Sequence, residues 1–232
     1  MIFSRNRGGK HSRAQAPGRG GAPEPGGTAE PDTPTGHGPY DVSEAPAGAT
    51  LFDLGSLRIP AIEGIEVRVQ ANPDGSIAQV VLVHGDSGLE LGVFAAPRSE
   101  GIWDEVRAEI QAALIADGAT AEEVDGEYGP QLRVRMRTPE GVSDLRFVGV
   151  DGPRWMVRAV YQGKAALDPA AAGPLDECLY GLVVDRGSEA LPVRDALPLR
   201  LPKEFAEQAA QAQAQAQAGG TAGTGGAAPG RT

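Results

Sequence analysis

Six arginines have the clearest capacity for binding chemistry in this chain. Arg133, Arg135 and Arg137 alternate with Leu132, Val134 and Met136 in LRVRMR, the two-residue period of a strand, so their three guanidinium groups share one face. Arg146, Arg154 and Arg158 follow on the next two apolar runs and extend that array across neighbouring strands if the alternation holds. A guanidinium presents five donors in a planar fork that matches a carboxylate or a phosphate. Such a face would take an anionic ligand or an acidic partner segment. The alternative is a solvated sheet face neutralised by nearby acids, Asp144 among them.

Other reactive groups are sparse. His84, Asp86 and Ser87 lie together in HGDSG, but neighbouring positions in a tight turn point apart, whereas a nucleophile, its base and the base's orienting group must converge. That segment reads as a turn in which Asp86 and Ser87 bond their own backbone. Glu122, Glu123, Asp125 and Glu127 could hold a hard cation through oxygen, yet they lack the spacing of an EF-hand loop and read as a solvated acidic edge. Cys178, the single cysteine, falls on an apolar stripe with no His or Lys beside it and reads as an inert buried thiol. Neither GxxxxGK[ST], GxGxxG nor GxSxG occurs, and no Cys/His cluster suits zinc. No metal or cofactor is expected, and no catalytic residues can be assembled. His11 and His37 fall in the N-terminal arm, which leaves His84 for imidazole chemistry in the domain.

The elements that would position these groups are strongly punctuated. VRVQ (67–70), SIAQVVLV (76–83) and LELGVFAA (89–96) are separated by NPDG and HGDSG, which implies three antiparallel strands. A helix follows, with Ser99 as its expected N-cap, acids in its first turn, and Trp103, Val106, Ile110 and Leu114 at near-helical spacing up to Asp117-Gly118. Next come the arginine strand, a TPEG turn, Val142 to Val150, and a DGPR turn into Trp155 to Tyr161, the second half of a hairpin. Phe147, Trp155, Val157 and Tyr161 make that hairpin a supplier of core. Asp168-Pro169 opens a second helix carrying Leu175, Cys178 and Leu179, and Leu182 to Asp185 reads as the last strand. Prolines 192, 198 and 202 then favour an extended strap over an edge strand.

Composition sets the limits. Of 232 residues with net charge −10, residues 1–39 form a Gly/Pro-rich arm holding five basic against three acidic residues, and residues 203–232 form an Ala/Gln/Gly tail. Both are too poor in large apolar residues to fold, so they are expected to be disordered around a single α+β domain at 40–202. Acidity concentrated in that domain argues against nucleic-acid binding by it. With no signal peptide, no membrane span and one cysteine, the expected location is cytoplasmic.

GPYDVSEAP, FDLGSLRIP, FAAPRSEGIWDEVRAEI, EEVDGEYG and FVGVDGPRWMVRAVYQG, in that order, closely resemble the DUF3710 family of actinobacterial proteins over residues 38 to about 202. That resemblance implies a cytoplasmic protein and supplies no functional residues. The element order is also similar to the Mog1/PsbP type, an α/β/α sandwich in which two helices flank a mainly antiparallel sheet and which serves binding. The expectation is therefore a noncatalytic domain that binds a protein partner through the arginine face. The alternative is a sensor or enzyme for a phosphorylated metabolite, with the arginines as clamps and Asp86 as base. A homodimer formed through the exposed sheet and the strap is a third reading.

Overall fold

Alternating apolar and polar residues make most of this chain strand, and the tight turns between runs make the strands antiparallel. The computed structural model describes residues 37–72, 76–139 and 141–201, all within the larger of two units, Thr33–Thr232. Apart from His37 to Pro39, the arm and the tail lie outside the described residues.

In chain order the elements are β1 (Tyr40–Asp41), β2 (Leu51–Asp53), β3 (Leu57–Pro60), β4 (Glu66–Ala71), β5 (Ile77–His84), β6 (Ser87–Ala95) and α1 (Trp103–Ala116). Then follow β7 (Thr120–Gly126), β8 (Gly129–Thr138), β9 (Gly141–Gly152), β10 (Trp155–Gly163), a 3-10 turn (Lys164–Ala166), α2 (Pro169–Tyr180) and β11 (Val183–Val184). Seven strands form one antiparallel sheet in the order β4-β5-β6-β10-β9-β8-β7. A second sheet has the order β1-β11-β3-β2, with β1 and β11 parallel.

The mixed class, the antiparallel main sheet and the two helices agree with the sequence reading, which the structure corrects in three respects. Thr120–Gly126 is a strand at the sheet edge, because Glu122 pairs with Arg133 and Thr120 with Arg135 across it and opposite charges favour that register. The last strand joins the second sheet rather than the main one. Strands β1, β2 and β3 had no sequence counterpart, being too short for a period to show.

Register decides what each face of the large sheet buries. Val148, Val150, Trp155, Val157 and Tyr161 share a face with Leu89 and Leu91, and these pack with Leu175, Cys178 and Leu179 of α2 and with Leu57 and Ile59 of the second sheet. On the opposite face Met156 packs with Ile102 and Trp103, while Leu132 and Val134 meet Ile110 and Leu114 of α1. A helix therefore lies on each side.

The β9–β10 hairpin closes at Pro153 and Arg154, since Trp155 pairs with Gly152. Arg154 has φ 68°, which suits a type II turn led by proline. Two glycines here leave room for indoles: a Cβ at Gly152 would overlap Trp155, and one at Gly149 would overlap Trp103.

The helix starts contrast. Asp168 caps α2 as expected, accepting from Ala170 N at 2.9 Å with Pro169 next. Ser99 does not cap α1. Its first turn is capped across the fold by Asp151 at the end of β9, whose two oxygens accept from Ile102 N (2.9 Å) and Trp103 N (3.1 Å).

The C-terminal strap is present and bonds where β5 falls short. Ala95 N donates to Asp195 O, Leu197 N to Val93 O, and Arg200 N to Leu54 O, at 2.8 to 2.9 Å. It thereby joins the large sheet to the loop before β3.

Candidate functional site

The six arginines do not form one array. Pairing of Arg133 with Arg146 and of Arg135 with Asp144 puts Arg133, Arg135, Arg137 and Arg146 on the α2 side of the sheet. Arg158, opposite Gly149 and Gly92, points to the α1 side. Arg154 occupies the hairpin turn. Strand alternation explains the division: Arg146 and Arg158 sit at positions of opposite parity in the β9–β10 pairing.

Arg133, Arg135 and Arg137 form an exposed strip on β8. Arg135 is held by Asp144 at 2.7 Å, and that hydrogen bond and charge raise its pKa further. Among the described residues Arg133 and Arg137 form no ion pair. The three side chains repeat at about 7 Å along the strand, which puts Arg133 and Arg137 about 13 Å apart.

Arg146 is interior. Its guanidinium lies 3.8 Å from the centroid of the Tyr161 ring, donates to Ala165 O at 3.2 Å, and stands 3.8 Å from Asp176 Oδ1. The Tyr161 hydroxyl donates to the same Asp176 oxygen at 2.6 Å. Burial pushes both pKa values up. For Tyr161 the charge and hydrogen bond of Asp176 add to that rise, and for Asp176 the Tyr161 bond and Arg146 oppose it.

Beside that group lies a cluster the sequence reading missed. His37, assigned to the arm, stacks on Tyr180 with centroids 4.1 Å apart and meets Glu127 at 2.9 Å. Tyr180 also donates to Glu127, and Tyr128 donates to Gly38 O at 2.6 Å. Burial and the Glu127 charge push the phenol of Tyr128 up, and burial with the Glu127 bond does so for Tyr180. These phenols stay protonated at neutral pH. A histidine surrounded by glycine-rich chain carries no periodic signal by which it could have been found.

Arg158 borders a cavity of about 180 Å³ shared with Phe94, Ile102, Val106, Glu109, Met156 and Arg194. It stands 5.2 Å from the Phe94 ring and 3.9 Å from Glu90. Arg194 of the strap clamps α1 by bonds to Glu105 (2.7 Å) and Glu109 (2.9 Å).

The remaining sequence candidates are structural. Asp86 pairs with Lys164 at 2.8 Å, and Ser87 Oγ accepts from Ala165 N at 3.0 Å, so both bond across to the 3-10 turn rather than to their own backbone. The Lys164 hydrogen bond and charge hold Asp86 below its ordinary pKa, which makes it a weak base. Cys178 is buried, and burial with the nearby Glu177 charge pushes its thiol up to about 11. No set of three His, Cys, Asp or Glu suited to a metal occurs among the described residues.

The match to a family model described as "Protein of unknown function (DUF3710)" runs over residues 38–208, which includes every group named above except His37. The chain belongs to this family. The DUF3710 domain matches no curated protein. A solved structure that it resembles is the solution structure of cyanobacterial PsbP (CyanoP) from Synechocystis sp. PCC 6803, with 13% identity, a TM-score of 0.33, and coverage of 60% of this chain and 97% of that one. Among the described residues no helix is long and apolar enough to cross a membrane.

Proposed function

We propose that this DUF3710 domain is a noncatalytic binding module whose β8 strip engages an acidic, extended segment of a protein partner. The observation that carries this reading is the contrast within the strip: Arg135 has its own carboxylate, Asp144, while Arg133 and Arg137 on either side of it are exposed and form no ion pair among the described residues. Two fork-shaped donors on either side of a neutralised one suit carboxylates four residues apart on an extended chain. Only β7 lies between the strip and the edge of the sheet, so a partner segment laid across β7 can reach it. The phenols stay protonated at neutral pH and Asp86 is a weak base tied to Lys164, which favours binding over catalysis.

The test is fluorescence anisotropy of a labelled Glu-rich peptide against the full chain at low and moderate salt. Saturable, salt-weakened binding that disappears in Arg133→Ala/Arg137→Ala, with the thermal transition unchanged, is the expected result. Equal binding by wild type and double variant would refute the strip as the site.

A further inference from the structure

A second, polar cavity lies away from all six strand arginines. It measures about 430 Å³ and is bounded by the β2–β3 turn, the segment following β11, and the strap at Pro198 and Arg200. Local hydrogen bonding determines which charges there are already matched. Asp53 accepts from Gly55 N at 2.7 Å and Asp185 from Gly187 N at 3.1 Å, and both carboxylates face Arg58, at 3.5 and 2.8 Å. Those two acids neutralise the Arg58 charge, although its Nε, 3.5 Å from Asp53, is buried with no hydrogen-bond partner.

Arg186 is different. It is 8% exposed, yet no carboxylate pairs with it among the described residues. Its NH1 donates to the Glu189 carbonyl at 2.7 Å, and its Nε is buried with no hydrogen-bond partner. Arg200 lines the same space and is exposed without an ion pair among the described residues. A buried cation without a counter-charge is costly to keep, and an oxyanion placed against it would relieve that cost through charge-assisted bonds. The volume lies in the range of small-molecule sites, roughly 300–1,000 Å³, and Ser56 and Ser188 add hydroxyls to the lining.

We infer that this cavity binds a small metabolite through an oxyanion, a phosphate or a carboxylate, gripped by Arg186 within and Arg200 at the rim. The site is separate from the β8 strip and stands whether or not the strip binds a partner.

Calorimetric titration of the full chain with inorganic phosphate and, separately, with succinate, at ionic strength fixed with sodium chloride, tests it. Saturable binding of one of the two is expected, and the anion that binds distinguishes phosphate from carboxylate as the recognised group. Arg200→Ala, a surface change, should weaken it about tenfold or more, the scale of a lost bond to a charged group. Arg186→Met should abolish binding, and in anion-free buffer it should melt at or above wild type, since it removes an uncompensated buried charge. Arg133→Ala/Arg137→Ala should bind either anion as wild type does. Absence of saturable binding in both titrations, or undiminished binding in Arg200→Ala, overturns the proposal. So does an Arg186→Met protein that melts several degrees lower, because that would make Arg186 a structural tie to the Glu189 carbonyl.

Discussion

Arg133 and Arg146 sit directly opposite one another on β8 and β9 and meet opposite fates. Arg146, close to α2, is covered and locked between Tyr161, Asp176 and the Ala165 carbonyl. Arg133, one strand further out, is exposed. The same side-chain type on the same sheet face is thus structural in one half and available for recognition in the other. What separates them is the reach of α2, which no property of either arginine encodes.

The largest effect should come from the covered half. Arg146→Ala removes the partner of a half-buried carboxylate and of the buried Tyr161 ring and is expected to cost about 2–3 kcal/mol by chemical denaturation. Its pH dependence sharpens the point. Arg146 is one of the groups holding Asp176 down against burial, so without it the folded-state pKa of Asp176 rises further above the unfolded value. Stability from a raised carboxyl is present below the unfolded pKa and lost as pH rises through the folded one. The penalty of Arg146→Ala should therefore be smaller at pH 4 than at pH 7, and a penalty that grows on acidification would show that Asp176 is not governed by burial.

Next in size is Asp151, which caps α1 across the fold. Asp151→Ala should destabilise by about 1–2 kcal/mol, the scale of a lost cap, while Ser99→Ala should be nearly silent. If Ser99→Ala proved the more damaging, the cap geometry would be refuted. In the outer half, Arg133→Ala and Arg137→Ala should each stay within about 0.5 kcal/mol of wild type, and the consequence appears only in peptide binding. The smallest signal is expected from Cys178. With its thiol at about 11 and buried, it should not react with a thiol reagent at pH 8 until denaturant is added, and rapid native labelling would show that this part of the core opens.

Local features were legible wherever a signal fits within a few residues. Asp168-Pro169 specifies a helix start from its own side chain and ring, and the β9–β10 hairpin follows from DGPR between two apolar runs, whatever surrounds them. Alternation in LRVRMR likewise places three arginines on one face. Signals requiring distant partners were not legible. Ser99 seemed a cap because nothing in the neighbouring residues discloses Asp151, and TAEEVDG, an exposed acidic edge as its composition implies, gave no sign of being a strand because its pairing comes from β8.

Sequence alone therefore determined the α+β class, the antiparallel order of β4 to β6 and β8 to β10, the apolar stripe that holds Cys178 and the shared face of Arg133, Arg135 and Arg137, since local periodicity and turn chemistry decide each of these. Tertiary structure alone decided that Arg158 faces away from Arg146, that His37 belongs to the domain, that β11 joins a second sheet, and that Arg186 is buried beside a cavity. The first depends on the register of the β9–β10 pairing and the others on which surfaces pack together, and both arise from contacts between residues that local sequence does not specify.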